Sequence, residues 1–170
     1  MIKLNGWDKY DLYLEIYTDG ACSTNGDWSG GYGMVVMDNN EIVHAERKAI
    51  SETTNNREEL KAMIAALKYV EKYPNIYFTI YTDSTYVLNT CTSWIFNWYN
   101  NNWKLASGKD VQNLDLIETL YKYVNKNFSN CQIEKVKGHS GDVGNELADA
   151  LATGNKAKIE KTILENRLIY

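Results

Sequence analysis

Proline is almost missing from this sequence: Pro74 stands alone, just past a segment of helical periodicity that it is placed to stop. No Pro/Gly/Ser-rich linker, internal repeat or low-complexity tract interrupts the chain. A single domain over residues 1–170 is therefore expected, with a core of about 12–155, an extension at 1–11 and a tail at 156–170. No apolar run approaches the ~20 residues that cross a bilayer, and Met1 to Asp8 lacks the basic region and apolar stretch of a secretory signal. An intracellular, cytoplasmic protein with no membrane partner is the expectation. Cysteine is sparse: Cys22, Cys91 and Cys131 are far apart and match no zinc-ligand spacing, so reduced thiols are expected. An excess of positive charge is also missing, since 18 Lys and Arg face 22 Asp and Glu for a net charge of −4. That balance is awkward for a protein that grips phosphates, but it is also what a site built to concentrate carboxylates would contribute.

What is present reads as alternating strands and helices. Leu12 to Thr18 alternates and carries β-branched and aromatic residues, the pattern of a strand. Gly30–Met37 and Glu41–Ala49 read as two more, joined by the turn Asp38-Asn39-Asn40. From Asn56 to Tyr73 the apolar residues Leu60, Met63, Ile64, Leu67 and Val70 keep helical spacing, with Asn55 as the expected N-cap and Glu58 completing a capping box. Ile76–Thr82 is a short apolar strand that hands over to a helix at Asp83-Ser84. Helical patterns follow at Trp94–Tyr99 and Val111–Val124, then a strand at Gln132–Lys137, the loop Gly138-His139-Ser140-Gly141, and a helix from about Asn145. This order predicts an α/β domain with helices packed on a mixed sheet.

Four acids stand out by position. Asp19 ends one predicted strand and Asp83 ends another, while Glu59 and Asp149 lie early in two predicted helices. Taken singly each has a bland explanation: a turn pair, a wet helix face, a helix cap, a surface charge. In open α/β sheets, however, ligands gather outside strand ends, so the four converge if the two strands are neighbours. Carboxylates packed together repel and call for a cation. Oxygen-only ligands select Mg²⁺, with Mn²⁺ as a substitute, over zinc. Two such ions serve in-line phosphoryl displacement.

The segments Tyr17-Thr18-Asp19-Gly20-Ala21-Cys22, Thr53-Thr54-Asn55-Asn56-Arg57-Glu58-Glu59-Leu60, Tyr81-Thr82-Asp83-Ser84 and Val136-Lys137-Gly138-His139-Ser140-Gly141 with Asn145-Glu146-Leu147-Ala148-Asp149 together resemble type 1 ribonuclease H, in that family's order and near its spacing. The resemblance runs from about Leu12 to Ala152. It implies a ribonuclease H-like fold with a five-stranded mixed sheet, three antiparallel strands then two parallel, flanked by helices. It implies endonucleolytic cleavage of the RNA strand of an RNA–DNA hybrid, leaving 5′-phosphate and 3′-hydroxyl ends. It makes Asp19, Glu59, Asp83 and Asp149 the metal-binding catalytic acids; Glu59, not its neighbour Glu58, matches the motif. His139, whose imidazole titrates near ~6.5, takes a supporting part in proton transfer or product departure.

The same resemblance places Asn25, Asn55 and Asn56 at the minor groove, where amide side chains that donate and accept can sense a 2′-hydroxyl. Thr54 and Asn113 match residues holding a DNA-strand phosphate, and Trp94, Trp98, Trp103, Lys104 and Lys109 fall in a protrusion that grips the hybrid. For Asn55 the plain alternative is a helix cap, for Asn25 an ordinary loop residue, and for the tryptophans simple packing. The chain departs from the family in several places. Asn100-Asn101-Asn102 stand where relatives often carry cations, Glu52 where an arginine is frequent, and Thr85 where a glutamine is frequent. The loop Ser23 to Ser29 is longer than in some relatives and lacks their proline. Fewer cations predict weaker, less salt-sensitive hybrid binding. Two other readings share the architecture: a hybrid-binding module without turnover, and a reverse-transcriptase-derived or strand-transfer domain. Four mutually repelling acids argue against the first; the protrusion and stand-alone length favour an independent, monomeric enzyme over the second.

Overall fold

The structure is a computed structural model that describes residues 9–24, 29–136 and 142–166. Its centre is one five-stranded sheet in the order β3-β2-β1-β4-β5. Strands β1 (Leu12–Cys22), β2 (Gly30–Asp38) and β3 (Glu41–Ile50) form an antiparallel meander. Asn39 takes a left-handed φ of 53° in the tight turn between β2 and β3, a conformation that asparagine tolerates better than most residues. Strand β4 (Ile76–Thr82) then pairs in parallel with β1, and β5 (Cys131–Lys135) pairs in parallel with β4. A parallel pair needs a crossover, and α1 (Asn55–Lys72) supplies it between β3 and β4.

The two faces of the sheet are covered separately. Leu14, Ile16, Met34, Val36, Phe78 and Ile80 meet Leu60, Met63, Leu67 and Val70 of α1 in the main core. The alternate residues Tyr17, Val35 and Met37 meet Leu147, Ala148 and Leu151 of α5 (Val143–Thr153) on the other face. This is the period-two division of a strand buried on both sides. Helix α6 (Lys156–Asn166) lays Ile159 and Ile163 against that second cluster.

Several boundaries differ from the sequence expectation for local reasons. The N-cap of α1 is Thr54, not Asn55: the Thr54 hydroxyl accepts from the Arg57 N–H at 3.3 Å. Glu58 makes no capping box. Its carboxylate is 1% exposed and accepts instead from the Thr53 hydroxyl at 2.7 Å and Lys61 Nζ at 2.6 Å. After β4, Ser84 caps α2 (Thr85–Asn89), which runs through a π-type turn at Thr90–Trp94 into α3 (Ile95–Asn100). The helix expected from Val111 begins as α4 at Leu114 (Leu114–Val124), because Asn113 sits in the left-handed region at φ 58° and residues 104 and 110 form an isolated antiparallel bridge just before it. Among the described residues no helix is long and apolar enough to cross a membrane, and Cys22, Cys91 and Cys131 are all free thiols.

Candidate active site

The parallel register of β1 and β4 pairs Thr18 with Thr82, so the next residue on each strand, Asp19 and Asp83, leaves the pair side by side. Thr18 is fixed there by donating to the Tyr81 carbonyl at 2.9 Å, and Thr82 by accepting from the Ser84 N–H at 3.1 Å. Glu59 arrives from α1. Gly20 explains how the helix comes so near: a Cβ at that position would stand 2.2 Å from the Glu59 nitrogen and 2.4 Å from the Glu58 carbonyl carbon. Only a residue without a side chain allows this approach. Asp19, Glu59 and Asp83 thus each offer a carboxylate oxygen within 4.8 Å of the others.

The electrostatics of this cluster are strained. Burial pushes the Asp19 carboxyl up, to about 7, with the neighbouring Asp83 charge adding to the effect, Asp149 contributing less, and hydrogen bonds from Glu59 and the Gly20 N–H opposing it. Burial likewise pushes Glu59 well above the usual carboxylate range, with Asp19 and Asp83 adding to it. Removing charged oxygens from water and facing them toward like charge both favour the neutral form. The Glu59 Oε2 atom is buried without a hydrogen-bond partner. Such an orphan is costly, and a cation among the three acids would satisfy it. The donor set is oxygen only, which fits a hard divalent ion and not zinc or copper.

Asp149 stands apart from that trio. Helix α5 is seated on β2 where Gly33 leaves room: a Cβ there would lie 2.4 Å from the Ala148 carbonyl oxygen. Its start is fixed by Asp142, whose carboxylate accepts from the N–H groups of Gly144 at 3.0 Å and Asn145 at 3.3 Å and from the Tyr17 hydroxyl at 3.2 Å. The next residue after Ala148 is Asp149, near enough for its charge to act on Asp19. Its carboxylate, however, accepts from Lys158 Nζ of α6 at 3.0 Å. Sequence reasoning gave Lys158 no role, and an ion pair made by one helix folding back on another has no local signature. His139 and Asn25 lie outside the described residues.

Of the other expected substrate contacts, Thr54, Asn55, Asn56 and Asn113 gather around the start of α1. Asn55 and Asn56 are exposed in its first turn, and Thr54 is engaged as the cap. Asn113 is tied to the same helix, its amide oxygen accepting from Arg57 at 3.5 Å and its nitrogen donating to the Tyr86 hydroxyl at 3.4 Å. Arg57 is held by Asp115 through two hydrogen bonds of 2.9 and 2.7 Å, an anchor the sequence did not disclose. In the expected protrusion Trp98 and Trp103 pack against the main core, whereas Trp94 is 38% exposed. Lys109 is exposed, and Lys104 donates to Asp110.

The RNase H family model matches residues 11–157 of this chain. A ribonuclease H of Francisella tularensis subsp. novicida is 45% identical, over 85% of this chain and 90% of its own length. A ribonuclease H of a Cyanothece species is 40% identical, over 90% of this chain and 95% of its own. The crystal structure of LC9-RNase H1, described as a type 1 RNase H with the type 2 active-site motif, superposes with a TM-score of 0.68 at 29% identity, covering 82% of this chain and 70% of that one.

Proposed function

Because this chain belongs to the RNase H family, whose enzymes hydrolyse RNA in RNA–DNA hybrids, we propose that it cuts the RNA strand endonucleolytically by two-metal hydrolysis, as a monomer, leaving 5′-phosphate and 3′-hydroxyl ends. The observation that carries this is the convergence of Asp19, Glu59 and Asp83 within 4.8 Å at the ends of two neighbouring parallel strands. These three would hold the first divalent cation, and Asp149 would join them for the second. Bound there, Mg²⁺ or Mn²⁺ supplies a nucleophilic water at neutral pH and charge stabilisation of the departing 3′-oxygen.

The chain's own residues do the positioning. Asp19 and Asp83 are fixed by strand register, and Glu59 by the contact of α1 with Gly20. Sites on rigid elements hold reacting groups within the tolerance that catalysis requires. Asn55 and Asn56, exposed at the start of α1, would read 2′-hydroxyls from the minor groove together with Asn25. Thr54 and Asn113 would receive a phosphate of the DNA strand beside Arg57. Trp94, Lys104 and Lys109 would line the protrusion's contact with the hybrid, with Trp98 and Trp103 as its packed base. His139 would take up a proton or assist product departure.

The test is cleavage of an end-labelled hybrid by the full chain. Cutting of the RNA strand with Mg²⁺ is expected, with none in EDTA and at least a ~10²-fold slower rate for Asp83→Asn. Activity that survives EDTA or that substitution would overturn the reading.

A further inference from the structure

Resting on the cation-binding reading above, we propose that Lys158 is a positioning residue that holds Asp149 as an internal counter-ion, and that α6 thereby sets how readily a divalent cation occupies the Asp149 side of the site. Lys158 Nζ lies 2.7 Å from Glu146 Oε2 and 3.0 Å from Asp149 Oδ2. Both acids are on α5, one turn apart on the same face, so a single ammonium bridges them. The three side chains are 26–32% exposed, which leaves the bridge partly shielded from solvent.

Lys158 is not carried by a loose end. Gly154 turns the chain back at φ 71°, the Asn155 amide oxygen accepts from the Lys158 N–H at 3.1 Å, and Ile159 and Ile163 pack α6 against the second hydrophobic cluster, to which α5 contributes Leu147, Ala148 and Leu151. The backbone under Lys158 is therefore set by apolar packing that does not depend on the ion pair. The side chain itself is a four-carbon stem with a compact charge. It has two alternative partners, so it can release Asp149 and stay paired with Glu146 at the loss of one contact. The structure thus gathers three acids within 4.8 Å of one another and pairs a fourth, Asp149, with an ammonium of its own chain. A divalent ion that recruits Asp149 must displace an ammonium first.

Calorimetric titration of Mg²⁺ into the full chain without nucleic acid tests this. Lys158→Met is expected to bind Mg²⁺ roughly 3- to 5-fold more tightly than the parent, in keeping with a partly exposed ion pair. Lys158→Gln should do the same, and serves if the methionine variant fails to fold by circular dichroism. In an Asp149→Asn background the Lys158 substitution should leave Mg²⁺ binding unchanged, since coupling requires both partners. Binding by both Lys158 variants equal to the parent's overturns the proposal. So does the same gain in the Asp149→Asn background, which would mark a general charge effect. If instead the parent binds no Mg²⁺, or Asp83→Asn binds it as the parent does, the metal-site reading itself fails, a result distinct from a failure of Lys158 alone.

Discussion

Two adjacent glutamates on α1 show how much a single step along a helix decides. Glu58 turns into the interior, where Thr53 and Lys61 neutralise and bind it. Glu59, about 100° further round, faces the other acids with one oxygen unpaired. Their substitutions should therefore act in opposite senses. Glu58→Ala breaks a buried pair and is expected to lower stability by about 3 kcal/mol, while cleavage per folded molecule stays near the parent's. Glu59→Gln is expected to abolish cleavage and to raise the melting temperature of the metal-free protein by a few degrees, because it removes repulsion. The pH dependence follows from the same shift. A carboxyl raised above its usual 4.5 in the folded state binds more protons there than in the unfolded chain. Its contribution to stability is thus best below about pH 4.5 and worsens as pH rises through neutrality. The melting-temperature gain of Glu59→Gln over the parent, in EDTA, should grow between pH 5 and pH 8 (roughly 2–4 °C for each kcal/mol). A gain that shrinks over that interval would contradict the electrostatic account.

At the scale of elements, the site depends on how closely α1 can lie against β1. Gly20→Ala would drive a methyl into the backbone of Glu58 and Glu59, atoms that cannot swing aside. Overpacking of this kind costs about 3 kcal/mol. Urea unfolding should register that loss, and single-turnover cleavage should fall as Glu59 is pushed from Asp19; a variant unchanged in both would show that the helix has slack.

The elements themselves were largely legible in the sequence. The strand ends that carry Asp19 and Asp83, the helix that carries Glu59 and the mixed sheet all follow from periodicity and motif order. The misplaced features are those with non-local or conformational causes. Thr54 takes the cap ahead of Asn55 because its backbone is the extended one at the helix entrance. Helix α4 starts late because Asn113 adopts a left-handed φ and the turn before it is closed by the bridge between residues 104 and 110. The burial of Glu58 and the Lys158–Asp149 contact depend on partners that tertiary packing supplies, and no window of sequence displays them.

At the scale of the whole molecule, a net charge of −4 is joined by internal pairing of several of the described cations. Arg57 is held by Asp115, Lys61 by Glu58, Lys104 by Asp110, Lys126 by Glu71 and Lys158 by two acids. Hybrid affinity should therefore respond weakly to salt. A plot of log affinity against log salt concentration is expected to be shallower than roughly −3, equivalent to about three neutralised phosphates. A slope near −6 would mean that these internal pairs open on binding.

The sheet's outer borders carry a further consequence. On one side β3 alternates in exposure and bears Glu41, His44, Glu46, Arg47 and Lys48; on the other, β5 is only five residues long and includes Gln132, Glu134 and Lys135. Unsatisfied backbone along such margins invites stray strands to add on, and brevity and charge are what discourage them. Charge along β3 and the brevity of β5 are the features that work against fibre-like self-association where the hydrogen-bonding ladder stops.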